Sequence, residues 1–186
     1  MNHRDAENMD TKVSVLAEPP ISGSVPEYRF DAIGRCSWFR FEDNSGDAWA
    51  GVFGCGSANC NVAIQFSDDK NFFIIAGGQG YVIDSFTHEL RHKTSVDYFT
   101  DAIAVPNREL VIACDFTQLY AFNTQNLVWR SDRVALAGIK LDSSTKDELS
   151  GKVWQPDGWY AFTLQYKDLK YVLGSCLSTD WFKYSN

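Results

Sequence analysis

Residues 62–93 read VAIQFSDDKNFFIIAGGQGYVIDSFTHELRHK, and residues 102–132 read AIAVPNRELVIACDFTQLYAFNTQNLVWRSD. The two stretches follow one pattern. Each opens on an alternating strand, turns at Ser67-Asp68-Asp69-Lys70 or Pro106-Asn107-Arg108-Glu109, and continues into an apolar strand ending in Ile75-Ala76 or Ile112-Ala113. A tight turn, a strand opening at Tyr81 or Tyr120, and a last hairpin complete the unit. Corresponding residues lie about 37 to 41 positions apart, the period of a four-stranded propeller blade. Helical periodicity is absent, and the same alternation of short apolar runs and turn residues extends on both sides of the pair.

The segments YVIDSFTHELRHK (residues 81–93) and YAFNTQNLVWRSD (residues 120–132) resemble the outer strands of quinoprotein-type or WD-like propeller repeats. In such repeats a strand ends in an acidic or amide residue, a turn follows, and Leu with an aromatic opens the last strand. The match is best over residues 61–133, and residues 138–175 read as a divergent further unit. His88 and Asn126 stand where the repeats usually place a turn glycine, and the WD dipeptide is missing. The resemblance implies an all-β domain of antiparallel, blade-like sheets. About four blades fit, the lower limit for a closed ring. The expectation is therefore a small or incomplete propeller-like domain, with a curved two-sheet sandwich as the alternative. A half-ring would leave apolar flanks, so a homodimer is expected to cover them.

With 15% aromatic residues among 186, the composition favours pleated strands. Residues 1–27 are polar and carry Pro19, Pro20 and Pro26, so they read as a flexible or extended N-terminal arm, with one β domain over residues 28–186. A net charge of -7 disfavours a nucleic-acid partner. The absence of a long apolar run disfavours a membrane span. The N-terminus has no apolar leader, and Cys36, Cys55, Cys60, Cys114 and Cys176 are odd in number and irregularly spaced, so reduced thiols and a cytoplasmic location are expected.

His88-Glu89-Leu90-Arg91-His92 matches HExxH, in which a helix sets two imidazoles one turn apart on zinc and the Glu activates a water. A zinc hydrolase is one reading, with Asp97 or Glu109 as third ligand. Against it, the segment fits a strand-turn-strand, and residues four apart on a strand are separated by about 13 Å. Cys55 and Cys60 read as thiols in a loop, Cys114 as a small buried hydrophobe, and Gly77-Gly78-Gln79-Gly80 as a turn between strands instead of a phosphate loop. Asp43, Asn44 and Asp47 lack the spacing of a calcium loop. No catalytic or metal-binding residue and no cofactor is assigned.

Two groups remain as binding candidates. Glu42, Asp43, Asp47, Asp68 and Asp69 lie in a stretch without Lys or Arg and would steer a basic protein partner, in the manner of an immunity protein meeting its toxin. Trp154, Asp157 and Trp159 join flat surfaces to a carboxylate, as a protein contact or a carbohydrate or small-ligand site requires; the alternative is a Pro-Asp-Gly turn between core aromatics. Trp181-Phe182-Lys183-Tyr184 poses the same choice. The leading expectation is a non-catalytic protein-binding module.

Overall fold

The computed structural model describes residues 11–21 and 23–176. They form sixteen strands in four sheets of four. The first sheet holds β1 (Lys12–Leu16), β2 (Glu27–Phe30), β3 (Cys36–Glu42) and β4 (Ala48–Gly54), and the second holds β5 (Val62–Gln65), β6 (Asn71–Ala76), β7 (Gln79–Asp84) and β8 (Glu89–Lys93). The third contains β9 (Asp101–Ala104), β10 (Val111–Cys114), β11 (Leu119–Phe122) and β12 (Leu127–Arg130). The fourth contains β13 (Ile139–Ser144), β14 (Glu148–Gln155), β15 (Gly158–Gln165) and β16 (Lys170–Cys176). The last three are antiparallel meanders with strands in chain order, which is the build of propeller blades.

Three apolar clusters hold the sheets face to face. Phe39, Phe41 and Phe53 of the first sheet meet Phe72, Ile74 and Tyr81 of the second. Phe73 and Val82 meet Tyr120 and Phe122 of the third, and Ile112 and Ala121 meet Val153 and Phe162 of the fourth. Alternation is the cause: in β6, Phe72 and Ile74 face one neighbour while Phe73 and Ile75 face the other, so both faces are buried and the strand reads as one apolar run.

The repeat seen in the sequence is also a repeat of hydrogen bonds. Phe66 N–H donates to Asn71 C=O and Val105 N–H to Leu110 C=O, closing the first turn of each unit. Asp84 Oδ1 accepts from Phe86 N–H (3.0 Å) and Thr87 N–H (2.9 Å), as Asn123 Oδ1 accepts from Gln125 N–H (2.9 Å) and Asn126 N–H (2.8 Å). These are Asx turns, which explains why the second strand of each hairpin starts where it does.

The first sheet departs from the blade pattern. Lys12–Leu16, within the segment expected to be an arm, pairs antiparallel with β3 from Lys12↔Glu42 to Leu16↔Trp38. Val13 and Val15 are placed opposite Phe41 and Phe39, and the pairing supplies order that the flanking prolines conceal. The sheet order is β1-β3-β4-β2, with β2 parallel to β4, so the chain between β1 and β2 passes from one edge to the other. Ala50 and Val52, which alternate with the inward Trp49 and Phe53, are also fully buried.

The stack has two distinct ends. At one, the hairpin end, Phe41 meets Phe72 (5.6 Å), Trp49 meets His88 (4.7 Å), and Arg108 lies over Tyr166 (5.7 Å). At the other, the connection end, the links from each sheet to the next run over residues 55–61, 94–100 and 131–138. Among the described residues no helix is long and apolar enough to cross a membrane.

Candidate functional site

The acidic residues and the tryptophans singled out in the sequence lie at opposite ends. Glu42, Asp43 and Asp47 belong to the β3–β4 hairpin and Asp68 and Asp69 to the β5–β6 hairpin, side by side at the hairpin end. Asp43 and Asp68 serve their own turns, and Glu42 pairs within its own strand. Glu42 accepts from Arg40 Nε (3.1 Å) and Nη2 (3.0 Å). Asp43 Oδ1 accepts from Ser45 Oγ (2.6 Å), Ser45 N–H (2.9 Å) and Asp47 N–H (3.0 Å). The Ser45 hydroxyl, with those backbone donors, holds the Asp43 carboxyl below the usual range against the cost of burial. Asp68 accepts from Asn71 N–H (3.0 Å) and Lys70 N–H (3.3 Å), while Asp47 and Asp69 are exposed and make no side-chain bond among the described residues.

Trp154 and Trp159 are cross-strand partners at the connection end of β14 and β15, their rings edge-on at 5.5 Å, and Asp157 sits in the turn between them. Lys140 Nζ lies 4.7 Å from the Trp159 ring centre, so one face of that ring already carries a cation. That occupied face cannot also stack a sugar. Trp181-Phe182-Lys183-Tyr184 lies outside the described residues.

The HExxH segment is a β hairpin and not a helix. His88 occupies the β7–β8 turn at φ 57°, stacked on Tyr28 (3.9 Å) and edge-on to Trp49, whereas His92 is on β8 near Phe122 (6.4 Å). The imidazoles therefore contact different sheets. Glu89 pairs with Arg91 (3.3 Å), and Asp97, at the opposite end, accepts from Ser57 Oγ (2.8 Å). The zinc-hydrolase reading is corrected on this geometry: a helix-borne ligand pair does not form, and Asp97 is far from it. Burial lowers the affinity of both imidazoles for a proton, with Asp84 acting in the opposite sense on His88.

The connection end contains a feature that the sequence reading passed over. A shallow, open depression of about 550 Å³ is lined by Arg35, Ser57, Ala58, Asn59, Cys60, Thr100 and Phe116, drawn from the first three sheets and their links. Its floor is the loop at residues 55–61, stitched on every side. Cys55 N–H donates to Arg35 C=O (2.8 Å), Gly56 N–H to Ala76 C=O (3.1 Å), Ser57 N–H to Asp97 C=O (2.6 Å) and Ala58 N–H to Gly77 C=O (2.9 Å). Arg35 Nη2 reaches back to Gly56 C=O (2.9 Å) and Ala58 C=O (3.3 Å). Gly56 is required here, since a Cβ would stand 2.1 Å from Asp97 O and 2.6 Å from Gln79 N.

Two thiols nearby are held in the neutral form. Burial, with the charge of Asp101, pushes the Cys60 thiol up to about 11, and burial pushes Cys114 higher still. Cys55 Sγ lies 3.2 Å from Ser37 Oγ. Two glutamines brace the links: Gln79, buried, donates from Nε2 to Thr94 C=O (2.8 Å), and Gln118, half-buried, donates from Nε2 to Ser131 C=O (2.8 Å). Both escaped the sequence reading because Gln has no local turn signature. The glycines at 56, 77 and 78 were the available sign of close backbone approach.

Around the depression, four connections each expose a large apolar side chain: Ile33 (84%), Tyr98 (41%), Phe116 (50%) and Leu136 (44%). Among the described residues no group of three or more His, Cys, Asp or Glu is arranged to hold a metal ion.

No family model matches the chain, and no curated protein matches it. Among solved structures it is similar to TolB from Acinetobacter baumannii, with a TM-score of 0.48 and 13% identity, over 84% of this chain and 44% of that one. It is also similar to the tricorn protease, with a TM-score of 0.36 and 12% identity, over 76% of this chain and 15% of that one. The chain thus spans less than half the length of either structure.

Proposed function

We propose that the chain is a non-catalytic protein-binding module that recognises its partner at the connection end. The observation that carries this reading is the set of exposed side chains Ile33, Tyr98, Phe116 and Leu136, contributed by four separate connections on rigid sheets. Large apolar groups gathered on one rim, with an arginine among them, are the composition of an interaction surface. Among the described residues, the turns at the hairpin end expose Phe86 in the same class. The free thiols of Cys36, Cys55, Cys60 and Cys114 agree with a reducing, cytoplasmic setting. The order of turns and aromatics in residues 81–93 and 120–132 favours blades of the quinoprotein or WD-like kind.

A second reading places a basic partner, as for an immunity-type inhibitor, on the hairpin end. It is favoured by the adjacency of the two acidic hairpins and by the exposed Asp47 and Asp69. A low-salt pull-down separates the two. Tyr98→Ser with Phe116→Ser should lose the partner while Asp47→Lys with Asp69→Lys retains it; the reverse pattern supports the acidic end. A partner indifferent to both pairs, or no partner at all, refutes both readings.

A further inference from the structure

We propose that the depression at the connection end is a carboxylate-binding pocket for an extended peptide, with Arg35 holding the anion, Asn59 bonding the neighbouring peptide group and Phe116 covering an apolar side chain. The proposal rests on the protein-binding reading above and assigns chemistry to one part of that surface.

Arg35 carries the only charge among the lining residues. Its guanidinium is held by carbonyls through Nη2 alone, and among the described residues Nη1 and Nε have no partner and the side chain makes no ion pair. Nη1 and Nε lie on different edges of the guanidinium plane, so a carboxylate takes a single charge-assisted bond from either of them, at a cation already held in place. The acids nearby are turned elsewhere: Asp97 accepts from Ser57 Oγ (2.8 Å), and Asp101 accepts from Ala102 N–H (2.9 Å) and Leu141 N–H (3.5 Å). The Asn59 side chain is exposed and makes no hydrogen bond among the described residues, so it has a donor and an acceptor to offer. Cys60 stays a neutral thiol at physiological pH and does not repel an anion. The Phe116 side chain is half exposed at the rim. A cation, a free amide and an aromatic within one depression match a carboxylate, the adjoining backbone and a neighbouring apolar side chain. The rigidity of the floor means that little ordering cost is incurred on binding.

The carboxylate has two possible sources, an acidic side chain or a chain terminus. The test is an amide-resolved NMR titration of the full chain with three probes: acetyl-Gly-Phe-Glu-Gly-amide, its Glu→Gln counterpart, and acetyl-Gly-Phe with a free C-terminal carboxylate. Shifts confined to residues 35, 57–60, 100 and 116 are expected, with binding about tenfold weaker for the Gln peptide and for Arg35→Gln. Preference for the third probe identifies the terminus as the source. Arg35→Lys, which retains the charge and loses the carbonyl bonds that hold the guanidinium in place, should bind at an intermediate level, and Arg133→Gln should bind as the parent does. Equal binding of the Glu and Gln peptides, no loss in an Arg35→Gln protein whose spectrum stays native, or no binding at about 10 mM overturns the proposal. If the pull-down still depends on Tyr98 and Phe116, only the carboxylate assignment falls.

Discussion

Tyr81 and Tyr120 occupy the same position in the two clearest repeats, and each is 1% exposed. Each hydroxyl makes a 2.7 Å hydrogen bond, but the acceptors differ in charge. Tyr81 donates to the Gly54 carbonyl across the first sheet-to-sheet interface, and Tyr120 donates to Asp115 Oδ2. Asp115 is itself 1% exposed, and its other oxygen accepts from Thr117 N–H (2.5 Å), Gln118 N–H (2.8 Å) and Thr117 Oγ1 (3.1 Å). Replacing either tyrosine by Phe keeps the ring and its aromatic neighbours. What is lost is the bond and the satisfaction of its acceptor. For a neutral carbonyl that loss is about 1 to 2 kcal/mol, and for a buried carboxylate about 2 to 3 kcal/mol. Tyr120→Phe should therefore be the more destabilising by roughly 1 kcal/mol. Urea unfolding followed by tryptophan fluorescence reads this directly, provided that the slope m is unchanged. Adding Asp115→Asn to each variant should absorb most of the Tyr120→Phe loss and leave the Tyr81→Phe loss additive. Equal losses for the two tyrosines, or the same response to Asp115→Asn, would show that acceptor charge does not set the cost.

Gly56→Ala should cost about 3 kcal/mol, because its Cβ meets backbone on two sides, and thermal or urea unfolding should show it. His88→Gly relieves a left-handed residue worth about 1 kcal/mol but gives up the Tyr28 stack of similar size, so its stability should stay within about 0.5 kcal/mol of the parent; His88→Ala keeps the strain and loses the stack, and should be about 1 kcal/mol less stable. Both histidines are held below 6.5 by burial, so the unfolded chain binds more protons just below that value. Stability should be flat above neutrality and fall as pH drops from about 6.5, and a His88→Asn, His92→Gln protein should flatten that slope in pH-resolved urea midpoints. Despite the cost of its burial, Asp84 is held low by Thr87 N–H, Arg91 and Phe86 N–H, so its contribution is lost only at lower pH, as pH falls from 3.8 through its folded value.

The strands of the second and third sheets were legible because alternation, turn residues and burial agree there. Phe72 to Ala76 and Val111 to Cys114 are buried on both faces, with the Asx turn of Asp68 before the first and that of Asp115 after the second. The first sheet was less legible, for a physical reason: Val13-Ser14-Val15 is too short and too close to proline to signal a strand by itself, and only pairing with β3 gives it one. The acidic residues were visible, but their use was not. Sequence shows that Asp43 and Asp68 carry charge; it does not show that their oxygens close their own turns. Arg35 and Asn59 were overlooked because neither lies in a motif, and the depression exists only where three sheets bring their links together.

The two repeats also separate structure from recognition by what they share. Gln79 and Gln118 bond the carbonyls of Thr94 and Ser131, whose hydroxyls accept in turn from Gly80 N–H (3.2 Å) and Leu119 N–H (2.9 Å). Polar groups repeated with equivalent partners in both copies, buried at Gln79, Thr94 and Ser131 and half-buried at Gln118, are the skeleton of the blade, because leaving a buried one unpaired carries a penalty. At the tip of the hairpin between these strands the copies diverge. Gly77-Gly78 in one unit lets Cys55, Ala58 and Asp97 approach closely, whereas Phe116-Thr117 in the other projects an aromatic ring over the same depression. Glycine on one side and phenylalanine on the other give the depression a backbone floor and an apolar wall. Identical tips would have given two floors or two walls. Substitution of the shared skeleton should therefore register in unfolding, and substitution of the divergent tips in binding.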